Sequence, residues 1–220
     1  MKRVTLFAGH YGSGKTNIAV NYALYLRSLG KDTVIGDLDI VNPYFRTLDS
    51  EKELREAGIH IICSRFANSS LDLPSLPPEL YSLTDDRSKT AVLDIGGDDR
   101  GAYVLGRLAP RLREENDYEM LMVVNKFRPL TRTAEDVLEI KGEIECAGGI
   151  AFTGIVNNSN IGAETTAEDV LGSGDYIREV CEKCGLPLVM TTADARLKDE
   201  LEGKVANFFP LVLQKKIIDN

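Results

Sequence analysis

FAGHYGSGKT, residues 7–16, stands between an apolar run that begins at Val4 and the helically spaced stretch NIAVNYALYL, residues 17–26. A chain building only a core would put Val or Leu in this turn; it puts three glycines, a lysine and a threonine there. Gly9 to Thr16 satisfies GxxxxGK[ST], the P-loop pattern. Glycines permit positive φ and let backbone N–H groups close around phosphate oxygens, while the following helix presents its free amides and positive dipole end. Gly9, Gly12 and Gly14 are therefore read as the cradle, Lys15 as the cation that reaches the β- and γ-phosphates, and Thr16 as a Mg²⁺ ligand. At ordinary glycine frequencies a chance match in a chain of this length is on the order of one in a hundred. The flanking strand and helix lower it further, because the mechanism requires both.

Outward from the loop, short apolar runs alternate with longer segments of helical period, the pattern of a parallel sheet with crossover helices. Strands are expected at 3–7, 33–37, 60–63, 89–95, 119–125, 151–157 and 188–191. The first helix is expected from Lys15 to Leu29, carrying Ile18, Ala19, Tyr22, Ala23 and Leu26 on one stripe and stopping at Gly30. A further helix is expected over 48–57. Thr133 and Thr166 each open the pentapeptide TAEDV, a capping-box variant that predicts two helix starts. Residues 68–86 (NSSLDLPSLPPELYSLTDD), rich in Pro, Ser and Asp, read as a long surface excursion. The tail from Asn207 to Ile218 reads as a last helix packed on the sheet. The expected fold is a doubly wound α/β, mostly parallel sheet of seven or eight strands, with residues 1–220 forming a single P-loop nucleotide-binding domain.

Composition narrows the function classes. The 220 residues carry 26 Lys+Arg against 34 Asp+Glu, a net charge of -8. An acidic chain without an aromatic-plus-basic array offers no field for a phosphate backbone, so nucleic acid is not an expected partner. No segment reaches the roughly 18 apolar residues of a spanning helix, and membrane contact is not expected. Four scattered cysteines and a glycine loop close to the first residue leave no signal-peptide core, so the expected setting is the cytoplasm.

Phosphate transfer also needs a metal shell and an oriented nucleophile. The run Thr90-Ala-Val-Leu-Asp94-Ile-Gly-Gly97 is an apolar strand ending in Asp and a glycine pair, with Asp94 expected to hold Mg²⁺ through water. The run Thr33-Val-Ile-Gly-Asp37-Leu-Asp39 ends the second strand with two carboxylates at the edge where open α/β sheets build their sites. Thr16, Asp94 and Asp39 form the expected metal set, and Lys15 and Asp39 the catalytic pair.

GHYGSGKT, DLDIVNPYFR and VLDIGG, in that order and spacing, resemble the MinD/ParA-type P-loop ATPases, a group that includes nitrogenase iron-protein-like and metal-insertion ATPases. The likeness is strongest over residues 1–125. It implies ATP and Mg²⁺ as cofactors, a nucleotide-dependent homodimer with two ATP molecules between the subunits, and a client protein, with cofactor or metalloenzyme maturation among the tasks. It further implies that Asp39 positions the attacking water, that Ser13 and Asn17 lie with the phosphate set, and that Asn157 meets the adenine. DLDIVNPYFR would be a first switch segment, with Asn42, Tyr44 and Arg46; DIGGDDRGAYVLGRL a second, with Asp98, Asp99 and Arg100. One departure stands out: the family's lysine after the first glycine is here His10, shorter and largely neutral at pH 7. An ATP-dependent ligase or kinase, in the style of the dethiobiotin and cobyrinate synthetases, is the alternative reading. The guanine-reading NKxD pattern is approached by Asn125-Lys126-Phe127-Arg128, where Arg replaces the carboxylate that pairs with guanine. Cys181 and Cys184 form one CxxC, which cannot complete a tetrahedral zinc site without a second pair across a dimer.

Overall fold

A computed structural model describes residues 1–38, 50–63, 78–97 and 99–213. Eight strands run parallel in one sheet: β1 (Val4–Ala8), β2 (Thr33–Leu38), β3 (His60–Cys63), β4 (Thr90–Ile95), β5 (Tyr118–Val124), β6 (Gly154–Asn157), β7 (Leu188–Asp194) and β8 (Phe208–Leu211), in the order β3-β2-β4-β1-β5-β6-β7-β8. The connection from β1 runs to β2 on one side and the connection from β4 runs past β1 to β5 on the other, which opens a crevice at the carboxyl ends of β1 and β4, the position where such sheets bind ligands.

Both faces are covered, as a parallel sheet requires. On one face α1 (Lys15–Ser28) lays Ile18, Ala19, Tyr22 and Leu26 on Phe7, Ile35, Val92 and Val123, with α2 (Glu51–Glu56) adding Leu54. On the other, α3 (Pro78–Asp85), α4 (Asp99–Glu115), α5 (Ala134–Gly148) and α7 (Gly174–Cys184) bury Leu83, Leu105, Leu108, Val137, Ile177 and Val180 against Leu6, Leu93, Met120, Met122 and Ile155. Short helices α6 (Ala167–Leu171) and α8 (Lys198–Leu201) close the β7–β8 end through Val170, Ala193, Leu197 and Leu201.

The expected strands are present, with three adjustments. β6 begins at Gly154 and not at Ala151, because the Phe152 N–H is taken by the Glu145 carboxylate at 2.8 Å and never joins the ladder. Residues 78–85, expected within a surface excursion, form α3: Pro78 sits at the helix start, where its missing N–H costs nothing, and Leu83 is buried. The tail does not begin as a helix. Residues 208–211 add β8 at the sheet edge, a position that tolerates Pro210, and Phe209 packs edge-on against Tyr25 and Tyr22 of α1. Asn21 clamps the end of this strand, accepting from the Val212 N–H at 2.8 Å and donating to its carbonyl at 3.1 Å.

Thr133 and Thr166 do open α5 and α6, each with a reciprocal capping box to Asp136 and Asp169. The helix expected over 48–57 includes α2, which Ser50 and Ala57 flank as caps; residues 48 and 49 lie outside the described residues.

Candidate phosphate-binding site

The loop after β1 is shaped by what a side chain could not do there. Gly9 has φ 144, and a β-carbon on it would lie 2.5 Å from the Val123 carbonyl oxygen of β5. Gly14 has φ 92, and its β-carbon would lie 2.2 Å from Asn158 Nδ2. Both positions thus combine a left-handed backbone with contact closer than any side chain allows.

Gly14 caps α1 without a side-chain acceptor, and the first turn of α1 has no acid. It has Lys15 instead, a cation at the positive end of a helix dipole, which is unfavourable unless an anion is to sit there. The first helical hydrogen bond runs from the Ile18 N–H to the Gly14 carbonyl, so the amides of Lys15, Thr16 and Asn17 precede the ladder. Lys15 is buried and its Nζ donates to the His10 carbonyl at 3.1 Å, folding back over its own loop.

Carboxylates meet this loop from the neighbouring strands. Asp37 of β2 and Asp94 of β4 are register partners, and Asp94 is also paired with Phe7 of β1. Two residues earlier on each strand, Ile35 and Val92 pack on the α1 face, and alternation carries both aspartates to that side. There the Thr16 Oγ1 donates to Asp94 Oδ2 at 2.6 Å. A β-carbon on Gly97, three residues beyond Asp94, would lie 2.7 Å from the Gly9 carbonyl oxygen and 2.8 Å from the Tyr11 nitrogen. The segment leaving β4 therefore rests directly on the loop backbone. His10 is half-buried, with Nδ1 2.9 Å from the Tyr11 carbonyl.

A second set of residues supports the loop from the β5–β7 side. Asn158, just past β6, donates to the Ser13 carbonyl at 2.6 Å and accepts from Thr192 Oγ1 of β7 at 2.7 Å. Asn125, just past β5, donates to the Asn160 carbonyl at 2.9 Å, and its Oδ1 accepts from the Phe127 N–H at 2.9 Å. Asn157 is buried, with Nδ2 on Ser173 Oγ at 2.9 Å and Oδ1 accepting from Ser159 Oγ at 2.7 Å. The part of Asn158 in holding the loop has a sequence signal only in the run NNSN at the end of a strand.

The donor set fits a phosphate with a hard divalent cation: amides ahead of a helix, a buried lysine, and a hydroxyl beside a carboxylate. Ser13 Oγ is buried without a hydrogen-bond partner among the described residues, the kind of atom a bound ligand satisfies. Gly9, Gly12, Ser13, Gly14, Lys15, Thr16 and Asn17 are contiguous around the α1 start, and Asp94 joins them. Asn157 faces Ser173 and Ser159. Asp39, Asn42, Tyr44, Arg46 and Asp98 lie outside the described residues, and Asp99 and Arg100 open α4.

Other features lie apart from this site. A cavity of about 350 Å³ between α7 and the approach to β8, lined by Asn157, Ile177, Cys181, Thr191 and Lys204 among others, contains no loop residue. Cys181 and Cys184 are half-buried against the α5 side of the core, and burial pushes both thiols up, which keeps them protonated. Among the described residues no helix is long and apolar enough to cross a membrane.

Neither a protein-family model nor a curated protein matches the chain. Solved structures do. Cell division protein FtsY from Thermotoga maritima superposes with a TM-score of 0.59 at 16% identity, covering 86% of this chain and 61% of that one. FtsY from Mycoplasma mycoides gives 0.57 at 15% identity, covering 86% and 59%. The 54 kDa signal recognition particle protein from Aeropyrum pernix, solved in complex with GDP, gives 0.53 at 16%, covering 84% and 40%. The chain thus spans at most about three fifths of these structures. At such identities the likeness is one of fold, and the fold is an eight-stranded α/β sheet of the P-loop nucleoside triphosphatase kind.

Proposed function

We propose that this chain is a Mg²⁺-dependent nucleotide switch that binds and hydrolyses ATP and acts on a partner protein, in the manner of the MinD/ParA-type ATPases. The observation that carries the reading is the 2.6 Å bond from Thr16 Oγ1 to Asp94 Oδ2 beside a cradle in which Gly9 and Gly14 leave no room for a β-carbon. In that reading Lys15 and the α1 amides hold the phosphates, and Thr16 and Asp94 hold Mg²⁺, which supplies charge neutralisation at the phosphate oxygens. Asp39 orients water. The contact of Gly97 with the loop backbone gives a physical route for the switch, since a shift of the loop on binding phosphate displaces the segment that leads into α4.

A GTP-binding reading has its own support, because two structural neighbours were solved with GDP. ATP is favoured by Arg128, which stands where a guanine-reading segment has its carboxylate. Purified protein should bind ATP more tightly than GTP, hydrolyse it only with Mg²⁺, and lose binding by on the order of 100-fold in Lys15→Ala. Light scattering with and without ATP reads the homodimer. No binding of either nucleotide by the wild-type chain sinks the reading.

A further inference from the structure

Arg128 lies against the phosphate loop from the β5 side. A β-carbon at Gly12 would stand 3.6 Å from its Cζ, 3.7 Å from Nε and 3.9 Å from Nη1, so the guanidinium faces the bare loop at the distance where a side chain on Gly12 would touch it. Nothing else among the described residues holds it: no hydrogen bond, ion pair or ring contact engages the Arg128 side chain. Its backbone, in contrast, is fixed. Pro129 confines the preceding residue to extended geometry, and Arg128 has φ -98 and ψ 135. The Arg128 N–H bonds the Asn125 carbonyl at 3.0 Å, and the Thr131 N–H bonds the Arg128 carbonyl at 3.1 Å. Asn125 is itself buried and locked to Asn160, and Thr131 Oγ1 returns to the Asn125 carbonyl at 2.7 Å. The neighbouring Lys126 is committed elsewhere, donating to the Gly172 carbonyl at 3.0 Å.

The charge balance of the site gives this placement a purpose. Asp37 and Asp94 are buried at the carboxyl ends of β2 and β4, and the loop's cation is Lys15. A nucleoside triphosphate brings about four negative charges at neutral pH. A guanidinium at Arg128 supplies a second full cation beside Lys15. A guanidinium is also weakly hydrated and forked, suited to bridging phosphate oxygens. Its launch point is already ordered, so little backbone entropy is lost when it engages.

We infer that Arg128 is a phosphate-binding residue of the same chain's nucleotide site, closing over the polyphosphate from the Gly12 side. The inference rests on the proposed nucleotide-binding reading. It assigns to the Asn125–Arg128 segment a contact with the phosphates in place of a contact with the base.

The test is equilibrium binding of ATP, ADP and AMP to the wild-type chain, Arg128→Ala and Arg128→Lys, at low and moderate salt. Arg128→Ala should lose about tenfold for ATP, less for ADP and little for AMP, with the loss shrinking as salt rises. Arg128→Lys should recover part of the ATP affinity. Melting temperatures of the three proteins should agree, because the side chain has no structural partner to lose. Unchanged ATP affinity in Arg128→Ala makes the residue an ordinary surface arginine and overturns the inference while leaving the nucleotide reading intact. An equal loss for all three nucleotides makes it a contact to the nucleoside and overturns it as well. Failure of the wild-type chain to bind any of them overturns both.

Discussion

The two sides of the phosphate loop are built on different principles. On the β1–β4 side, shape comes from missing side chains and from strand register: Gly9 and Gly97 admit backbone, and Gly14 a side-chain amide, where a β-carbon would collide, and Asp94 is delivered by its place on β4. On the β5–β7 side, shape comes from side chains that reach across the molecule: Asn158 to Ser13, Thr192 to Asn158, Asn125 to Asn160. The first kind of construction is intolerant because it has no slack. The second is a lattice of individually modest bonds that supports the first.

They meet at Gly14, whose missing β-carbon faces Asn158 Nδ2 at 2.2 Å. Gly14→Ala should be the most damaging of the substitutions argued here. It sets a β-carbon in a left-handed residue and drives it into Asn158, a combined cost of roughly 2–4 kcal/mol by the usual worth of left-handed strain and overpacking. Nucleotide affinity should fall more than 100-fold, because the cradle itself moves. Asn158→Ala alone should cost less, about 1–3 kcal/mol for leaving the Ser13 carbonyl and Thr192 hydroxyl without their partner. In a domain of this size that lowers the melting temperature by a few degrees per kcal/mol. The double variant breaks or sharpens the comparison. If the two sides are coupled through this contact, Gly14→Ala with Asn158→Ala should be more stable than the sum of the single losses allows. Strict additivity in thermal melts would mean that the sides act independently.

The same difference accounts for what could be read before any coordinates. The cradle was legible because positive-φ turns and close backbone approach demand glycine at fixed spacing, and because a carboxylate delivered to the loop has to end a neighbouring apolar strand. Seven of eight strands were legible for a related reason: buried parallel strands have to be short apolar runs. β8 was not, since Phe208-Phe-Pro-Leu211 takes its place only by pairing with β7 and stacking Phe209 on α1. α3 was hidden by prolines and acids that mimic a loop, with Leu83 the anchor that packing supplies. The asparagine lattice was least legible. An Asn after a strand reads as a turn residue until the sheet order shows that β6 and β7 bring Asn158 between Ser13 and Thr192.

The two TAEDV helix starts offer the mildest probe, because identical residues serve different surroundings. Thr133→Ala and Thr166→Ala should each cost about 1 kcal/mol at neutral pH, the ordinary worth of a threonine cap. Hydrogen bonds from the cap lower both partner carboxyls, Asp136 and Asp169, below their usual 3.8. A carboxyl lowered in the folded state adds stability that is fully present above its unfolded value and is lost as pH falls through the folded one. Wild type and variants should therefore converge in denaturant melts as pH drops below about 3.8. Nucleotide binding should separate them. Thr133 bonds Asp136 and none of the asparagines that support the loop, so Thr133→Ala should leave affinity unchanged. α6 ends one residue before the turn that holds Ser173, which bonds both the Val170 carbonyl and Asn157. Thr166→Ala should loosen that tie and reduce ATP affinity by about twofold, whereas equal affinities in the two variants would detach Asn157 from the lattice that supports the site.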